Sequence, residues 1–225
     1  MVISTFAALF LAHVIADYLL QTRWLVTNKR RPQALAVHIG MVLLAMPLVT
    51  WTFSPWFLAL AALHLAIDLT KTFVLRGGLA AYVADQLLHI ASILLVAALA
   101  PTLWGQSPLA QTAWLPQFYL ILGVFLFSAR GGQYAVATWF RRPPEDEGRG
   151  VYIGWAERTA MPAAVALGAP WLIPGVMLAK GAHVVLAGRG RDAEGRRGLR
   201  QGAALSLVWG IACSAGLWLL LPLLP

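Results

Sequence analysis

The chain has 225 residues, of which 60% are hydrophobic and only 12% are charged, and its formal net charge is +8. A soluble domain carries about 25% charged residues, so the polar surface that would cover a soluble helical core is missing. The positive charge lies in short clusters between long apolar runs, which argues against a nucleic-acid partner and indicates a polytopic membrane protein.

Eight apolar segments approach the roughly 20 residues that a helix needs to span a bilayer. They are residues 2–21, 34–53, 56–75, 80–100, 115–138, 151–168, 170–187 and 202–223. The first leads directly into His13 and Asp17 without a preceding basic residue, so we expect a retained helix rather than a cleaved signal peptide. The sixth and seventh are short and contain Pro162 and Pro174, so they are predicted to be kinked or re-entrant. The predicted fold is an all-α transmembrane helix bundle of about eight helices, or six with a re-entrant pair.

Basic residues alternate with the predicted spans. They follow the first, third, fifth and seventh spans: Arg23, Lys29, Arg30, Arg31, Arg76, Arg141, Arg142, Arg149, Arg189, Arg191, Arg196, Arg197 and Arg200. The connections after the second, fourth and sixth spans contain no Lys or Arg. The positive-inside rule therefore predicts that both termini are extracytoplasmic and that the basic loops face the cytoplasm.

Two polar stretches divide the chain. We predict a membrane bundle in residues 1–138, a cytoplasmic linker loop in residues 139–150, and C-terminal transmembrane helices in residues 151–225 that pack on the bundle. Residues 188–200, which are rich in Gly and Arg, are predicted to form a second solvated loop. Such loops anchor the topology, and they can also contact anionic lipid headgroups.

Three histidines lie four residues from an aspartate within apolar segments, as the pairs His13/Asp17, His64/Asp68 and Asp85/His89. A four-residue step places both side chains on one face of a helix. Ionisable residues at membrane depth are costly and usually face a bundle interior or a wet cavity. In the predicted topology the pairs and His38 lie in the cytoplasmic halves of their helices, with each Asp nearer the cytoplasm. We therefore expect one site that faces the cytoplasm.

Imidazole nitrogen and carboxylate oxygen suit Zn, Mn, Fe or Mg, so the predicted cofactor is a divalent metal ion, with Zn favoured. The candidate ligands are His13, Asp17, His38, His64, Asp68, Asp85 and His89. They exceed one tetrahedral shell, so they could hold two ions, or one ion with carboxylates that orient the histidines. An aspartate that binds no metal could act as a general base, which makes Asp17, Asp68 and Asp85 candidate catalytic residues. Alternatively, each pair is a buried hydrogen bond between helices.

Other polar residues within the spans are candidates for binding an anionic, lipid-like substrate. They are Gln21, Lys71, Gln86, Glu157, Arg158 and Lys180. The cations could cradle a phosphate or carboxylate headgroup, whereas the two glutamines could instead orient metal ligands. The cations could also snorkel to the interface or form an internal ion pair, such as Glu157 with Lys180.

Several of these residues lie in motifs that resemble an uncharacterised bacterial membrane family, the domain of unknown function 3307. The motifs are LAHVIADYLLQ followed by NKR, then LHLAIDLTK and DQLLH, within residues 11–93. The later stretches GVYIGWAERTA (150–160) and LAKGAHVV (178–185) resemble a part often joined to it, although Gly181 and His183 depart from the expected pattern. The resemblance implies matches to family motifs at His13, Asp17, Gln21, His38, His64, Asp68, Lys71, Asp85, Gln86, His89, Glu157 and Lys180. It implies no known activity.

The favoured hypothesis is a metal-dependent hydrolase of the bacterial inner membrane. It would cleave an ester, amide or phosphoester in a lipid-like or membrane-inserted substrate from the cytoplasmic side, with membrane lipid as its partner. One alternative is a transporter or channel that uses the same cluster for a cation or for protons. Another is a non-catalytic assembly or regulatory protein. The chain has no internal repeat and no matching polar residues in the outer half, which favours the enzyme; the oligomeric state stays open.

Overall fold

The structure, a computed structural model, describes residues 1–142 and 149–225. Over these residues it contains helices and no strand, which confirms the predicted all-α class. Seven helical stretches of the described chain are long and apolar enough to cross a membrane: Val2–Leu20, Pro32–Thr50, Trp56–Phe73, Gly78–Leu99, Leu115–Trp139, Pro170–Ala187 and Ala193–Leu223. The protein is therefore a polytopic membrane protein.

The predicted sixth span forms a helix but is not among those seven. It extends over Arg149–Ala166 and carries Glu157 and Arg158 near its middle. Pro162 lies inside this helix, as expected. Pro174 instead lies in the first turn of the next helix, Ile173–Ala187. A proline is well tolerated there because the first N–H groups of a helix have no intrahelical partner, so Pro174 begins this helix rather than kinking it.

The second predicted loop is wrong in its extent. Residues 188–200 were expected to be a loop, but the last long helix begins at Ala193. Asp192 precedes it, and its Oδ1 accepts a 2.8 Å hydrogen bond from the backbone N–H of Gly195. An aspartate at this position is a strong helix start, and it outweighs the Gly and Arg content that suggested a loop. Of the other predicted loop, residues 139–150, the part 143–148 lies outside the described residues.

The chain forms two compact units. The first comprises Met1–Gly123 with Leu220–Pro225, and the second comprises Val124–Leu219. The division falls within the helical stretch that the sequence presents as the fifth span.

The first unit is built on a four-helix bundle. The helices of this unit are α1 (Val2–Val14), continued by a wider π-helical turn (Ile15–Leu20), the short α2 (Arg23–Thr27), α3 (Pro32–Thr50), α4 (Trp56–Phe73), α5 (Gly78–Leu99) and α6 (Leu115–Leu126). The four that form the bundle are α1, α3, α4 and α5. α1 packs against α3 and α5, and α4 packs against the same two helices. Every side chain of α1 from Ser4 to Val14 is buried, which its mostly apolar sequence permits.

Hydrogen bonds fix α1 within this bundle. The hydroxyl of Thr5 donates to the backbone oxygen of Pro101 over 3.2 Å and accepts from the backbone N–H of Trp104 over 3.2 Å. Both partners lie in the connection that follows α5. At α6, a Cβ on Gly123 would lie 3.0 Å from the ring of Phe10, so the glycine allows α6 to approach α1 closely.

The second unit contains a π-helical turn (Phe127–Gly131), α7 (Gly132–Trp139), α8 (Arg149–Ala166), α9 (Ile173–Ala187) and α10 (Ala193–Leu220). Its centre is Arg158, which is 3% exposed. The guanidinium donates to the backbone oxygens of Ser128 and Ala129 and to the hydroxyl of Ser206, at 2.9 to 3.0 Å. Two of these acceptors belong to the π-helical turn, so Arg158 stabilises the irregular backbone there.

Candidate functional site

The bundle of the first unit brings all seven predicted metal ligands together in its interior. Each is buried, with at most 7% of its surface exposed: His13, Asp17, His38, His64, Asp68, Asp85 and His89. The π-helical turn and all four bundle helices contribute. Helical bundles commonly hold metal and cofactor sites in this way, between side chains of facing helices.

Asp17 reaches across the bundle rather than pairing only with its neighbour in sequence. Its Oδ2 lies 3.9 Å from Nε2 of His13, whereas its Oδ1 lies 3.5 Å from Nε2 of both His38 and His64. Asp17 belongs to the π-helical turn, which changes its direction relative to α1. Such turns occur frequently at functional sites.

His38 and His64 face each other at the centre of the site. Their Nε2 atoms are 3.1 Å apart. Oδ2 of Asp68 lies 3.3 Å from the first nitrogen and 3.5 Å from the second. The two imidazoles therefore share two carboxylates, from Asp68 on one helix and Asp17 on another.

A second histidine group adjoins the first. The ring of His64 lies 4.0 Å from that of His89 and 5.4 Å from that of His13, measured between centroids, and the rings of His13 and His89 are 4.9 Å apart. A small cavity of about 10 Å³ borders these three rings and is otherwise lined mainly by apolar side chains. This is room for about one water molecule.

Three groups of side chains in this cluster have the spacing of metal ligands. They are His13 with His64 and His89, Asp17 with His38 and His64, and Asp68 with Asp85 and His89. Within each group one ligand atom from each residue lies within 4.8 Å of the others. His64 and His89 each belong to two groups, so the seven residues form one continuous cluster rather than three separate pairs.

The cluster concentrates unsatisfied polar atoms. Among the described residues, nine buried side-chain nitrogen or oxygen atoms have no hydrogen-bond partner, and they belong to His13, Asp17, Gln21, His38, Asp68, Asp85 and His89. Buried polar groups are normally satisfied, and exceptions call for an explanation such as a bound ion or water. Several of these atoms belong to residues of the three groups with ligand spacing, so a single bound ion could satisfy more than one of them.

Two lysines border the carboxylates. Nζ of Lys29, from the connection before α3, lies 3.3 Å from Oδ1 of Asp68. Burial lowers the pKa of Lys29, but the carboxylates of Asp68, Asp17 and Asp85 outweigh this effect, so its pKa lies above the ordinary value. Nζ of Lys71 lies 2.6 Å from Oδ2 of Asp85. The two ammonium groups leave one oxygen of each aspartate directed toward the histidines.

A hydrogen-bonded network contacts the same oxygen of Asp85 as Lys71. The amide of Gln86 donates to Oδ2 of Asp85 over 2.9 Å, and the hydroxyl of Tyr18 donates to Oε1 of Gln86 over 2.8 Å. The hydroxyls of Tyr18 and Tyr82 are 2.6 Å apart, and the ammonium of Lys71 lies over the ring of Tyr82. This network joins α5 to the π-helical turn and fixes the orientation of the carboxylate.

The remaining predicted substrate-binding residues are placed differently. Gln21 follows the π-helical turn, and its buried Nε2 has no partner. Glu157, Arg158 and Lys180 belong to the second unit, where Lys180 forms an ion pair with Glu157. That ion pair is the alternative that the sequence left open for these two residues.

The sequence did not point to Lys29, Tyr18 or Tyr82. Lys29 was interpreted only as a topology signal, because it stands in a basic cluster between two spans. Tyr82 had a usable signal, since it lies three residues before Asp85 and four before Gln86, the spacing of side chains on one helix face. Tyr18 lies next to Asp17, and only its position in the π-helical turn directs it to Gln86.

Comparison with known proteins gives one match. No curated protein and no solved structure matches the chain. The family described as protein of unknown function (DUF3307) matches residues 5–115, a range that contains all seven buried histidines and aspartates of the cluster, as well as Lys29 and Lys71. Over these residues the chain resembles the DUF3307 family, as its sequence motifs predicted.

Proposed function

We propose that the four-helix bundle binds one or two divalent metal ions and that the protein is a membrane-embedded, metal-dependent hydrolase of lipid-like substrates. The observation that carries the proposal is the concentration of unsatisfied buried nitrogen and oxygen atoms in three overlapping groups with ligand spacing. A purely structural cluster would be expected to pair these atoms, because an unpaired buried polar group costs about 1–3 kcal/mol.

The donor set fits a borderline divalent ion, with Zn favoured over Mn, Fe and Mg. Four imidazoles and three carboxylates are more than one tetrahedral ion needs, so they suit two ions or one ion with a carboxylate shell. Ligands of a functional metal are usually oriented by outer hydrogen bonds. Lys29 on Asp68 and Lys71 with Gln86 on Asp85 are such contacts.

A divalent ion in such a site lowers the pKa of a water molecule toward neutrality and polarises a substrate oxygen. The side chains of this chain would supply the rest of the chemistry. Asp17 is the preferred general base, because the three lysines form their salt bridges with other carboxylates and the Oδ1 of Asp17 lacks a hydrogen-bond partner. Lys71, whose side chain is 27% exposed, can reach the negative charge that develops on an ester or phosphoester.

The proposed site faces the cytoplasm of a bacterial inner membrane. The supporting argument is local: the site lies toward the end of the bundle where α1 ends, α3 and α5 begin and α4 ends. The connections at this end carry Arg23, Lys29, Arg30, Arg31 and Arg76. Basic connections remain in the cytoplasm by the positive-inside rule, so a lipid-like substrate would enter from the inner leaflet.

Metal analysis of the purified protein tests the binding part of the proposal. Wild type, loaded with Zn²⁺ and then freed of loose ions, should retain about one or two ions per chain. His64→Ala removes the residue shared by two of the ligand groups and should lose most of the metal. His183→Ala is the matched control, because His183 belongs to the second unit and should leave the metal content unchanged. Failure of wild type to retain any divalent ion would refute the proposal.

Hydrolysis is tested separately with the metal-loaded protein in vesicles that contain ester and phosphoester lipids. Asp17→Asn keeps the shape of the side chain and removes its basicity. It should therefore lose most product formation, even where the two ligand groups that do not contain Asp17 keep their metal. Loss of a general base typically lowers a rate by about 10²–10⁴-fold. A protein that binds metal but cleaves none of these bonds would contradict the hydrolase part alone.

One observation favours a second candidate, a cation or proton transporter. Titratable groups form a nearly continuous series from Lys29 through Asp68, the four histidines and Asp85 to Lys71, with successive polar atoms or rings in close approach. Such series relay protons or ions in membrane proteins. Cation or proton flux in proteoliposomes that Asp68→Asn abolishes would favour this function over hydrolysis.

A further inference from the structure

The second unit contains a cavity of about 540 Å³ that the proposed hydrolase does not use. Its walls come from the end of α7, from α8 and α9, and from the first turns of α10. Ligand pockets in proteins measure about 300–1,000 Å³, so the cavity is large enough for a small organic group.

The charged side chains on the cavity wall are mostly cationic. They are Arg142, Arg158, Lys180 and Arg191, with His183 beside them and Glu194 as the carboxylate among the described wall residues. Lys180 is paired with Glu157. Glu157 and Asp192, whose Oδ1 accepts from the wall residue Gly195, add two further carboxylates. Among the described residues four cations then stand against three carboxylates, so the described part of the wall has a net positive charge and favours an anion.

Arg142 is held at the cavity by an aromatic ring. Its guanidinium lies over the ring of Phe140, 5.7 Å from the centroid. Phe140 rests on a glycine face of α10: a Cβ on Gly202 would lie 3.2 Å from the ring, and one on Gly198 would lie 3.9 Å away. Two glycines four residues apart thus accommodate the ring that carries the arginine.

Arg191 is fixed from the other side of the same wall. Its Nε donates to the backbone oxygen of Ala187 over 2.9 Å, and the two terminal nitrogens of the guanidinium take no part in that hydrogen bond. Gly195 and Gly198 of α10 line the cavity next to it. The carboxylate of Asp192 already accepts from the backbone N–H of Gly195, so the cationic side chains rather than the start of α10 would hold an anion here.

We propose that this cavity binds a phosphate group, held mainly by Arg142, Arg191 and Lys180. Arginine forms paired hydrogen bonds with phosphate oxygens, and basic pockets between membrane helices can bind lipid headgroups. The phosphate can belong to an anionic phospholipid or to a soluble phosphorylated molecule. The proposal concerns the second unit alone, so it stands independently of the metal site.

Binding can be measured with the full chain by two probes. The first is inorganic phosphate or pyrophosphate added to protein in neutral detergent, measured by titration calorimetry. The second is a vesicle of phosphatidylcholine with or without phosphatidylglycerol, with retained lipid measured by native mass spectrometry. Binding of inorganic phosphate or pyrophosphate indicates a soluble ligand. Selective retention of phosphatidylglycerol, with no binding of the soluble probe, indicates a lipid. Absence of both overturns the proposal.

Paired variants show whether the cavity is responsible. Arg142→Ala with Arg191→Ala should weaken binding at least about tenfold, because two charged hydrogen-bond donors are lost. Arg142→Lys with Arg191→Lys should bind phosphate more tightly than the alanine pair and more weakly than wild type. Arg197→Ala with Arg200→Ala is the matched control, since these exposed arginines belong to α10 but not to the cavity wall. An equal loss in the control pair would mean that general surface charge binds the phosphate and would overturn the proposal.

Discussion

The Nε2 atoms of His38 and His64 lie 3.1 Å apart, with the carboxylates of Asp17 and Asp68 within 3.5 Å of both. Two imidazole nitrogens can lie this close if one donates a hydrogen bond to the other or if both bind the same cation. A shared cation also satisfies the two carboxylates, because it gives one positive centre to four converging donors. This contact therefore makes the metal content of single histidine variants informative.

The first prediction is a graded loss of metal. His38→Ala disrupts the group that contains Asp17, and His89→Ala disrupts the two groups that contain His13 and Asp85. His64→Ala removes a ligand from the groups on either side of the cluster centre. With two ions bound, His38→Ala should retain about one ion, and His64→Ala and His89→Ala should each retain less, because each removes a ligand that two groups share. Elemental analysis of purified protein measures the ratio. Equal metal content in all three variants would contradict overlapping groups.

Much of the site could be predicted from the sequence, because it rests on helix periodicity. The four-residue steps placed His64 with Asp68 and Asp85 with His89, and both contacts are present, at 3.5 and 3.6 Å. The contact predicted from the step between His13 and Asp17 is also present, at 3.9 Å, but the closer approach of Asp17 to His38 and His64 was not predicted. A π-helical turn begins at Ile15, and no simple sequence pattern marks the extra residue that widens such a turn.

Long-range contacts were beyond sequence reasoning for a different reason. Lys29 and Asp68 are separated by 39 positions, and their contact depends on how the connection before α3 folds over the end of α4. The sequence gives the charge of Lys29 but not its direction. The same holds for Arg158, whose neutral partners Ser128, Ala129 and Ser206 carry no charge pattern that would identify them.

The second prediction concerns the ion pair of Lys71 and Asp85. Lys71→Met leaves a carboxylate that is 2% exposed without its cation. Breaking a fully buried pair costs about 3–5 kcal/mol; because Lys71 is partly exposed, we expect about 1–3 kcal/mol. The double variant Lys71→Met with Asp85→Asn should be more stable than the single Lys71→Met variant, because position 85 then carries no unpaired carboxylate. Unfolding in the presence of a chelator measures these differences without a contribution from metal. An equally unstable double variant would argue against the pair.

The third prediction is a loss of stability at alkaline pH through Lys29. Its pKa is higher in the folded protein than in the unfolded chain, where it is about 10.4. A raised pKa means that the ammonium stabilises the fold fully at pH values below the pKa of the unfolded chain. This contribution disappears as the pH rises through the folded-state pKa. Lys29→Arg should remain charged and keep its stability to higher pH than wild type.

Thermal midpoints between about pH 9 and pH 12 provide the comparison. Lys29→Met serves as the matched control, because it removes the charge at every pH. It should be less stable than wild type at neutral pH and should approach wild type at the alkaline end. Parallel curves for wild type and Lys29→Arg would contradict a contribution from this lysine.

The fourth prediction addresses the packing around Arg158. A Cβ on Gly132 would lie 2.5 Å from Cδ and Nε of Arg158 and 2.8 Å from the ring of Trp209. The arginine is held by hydrogen bonds and cannot move aside without breaking them, so Gly132→Ala should lower the free energy of unfolding by about 1–3 kcal/mol. Gly181→Ala is the matched control, because a Cβ there meets nothing within 4 Å. That variant should be neutral or up to about 1 kcal/mol more stable, as alanine favours helix over glycine. Equal stability of the two variants would mean that Arg158 is not the fixed centre of the second unit.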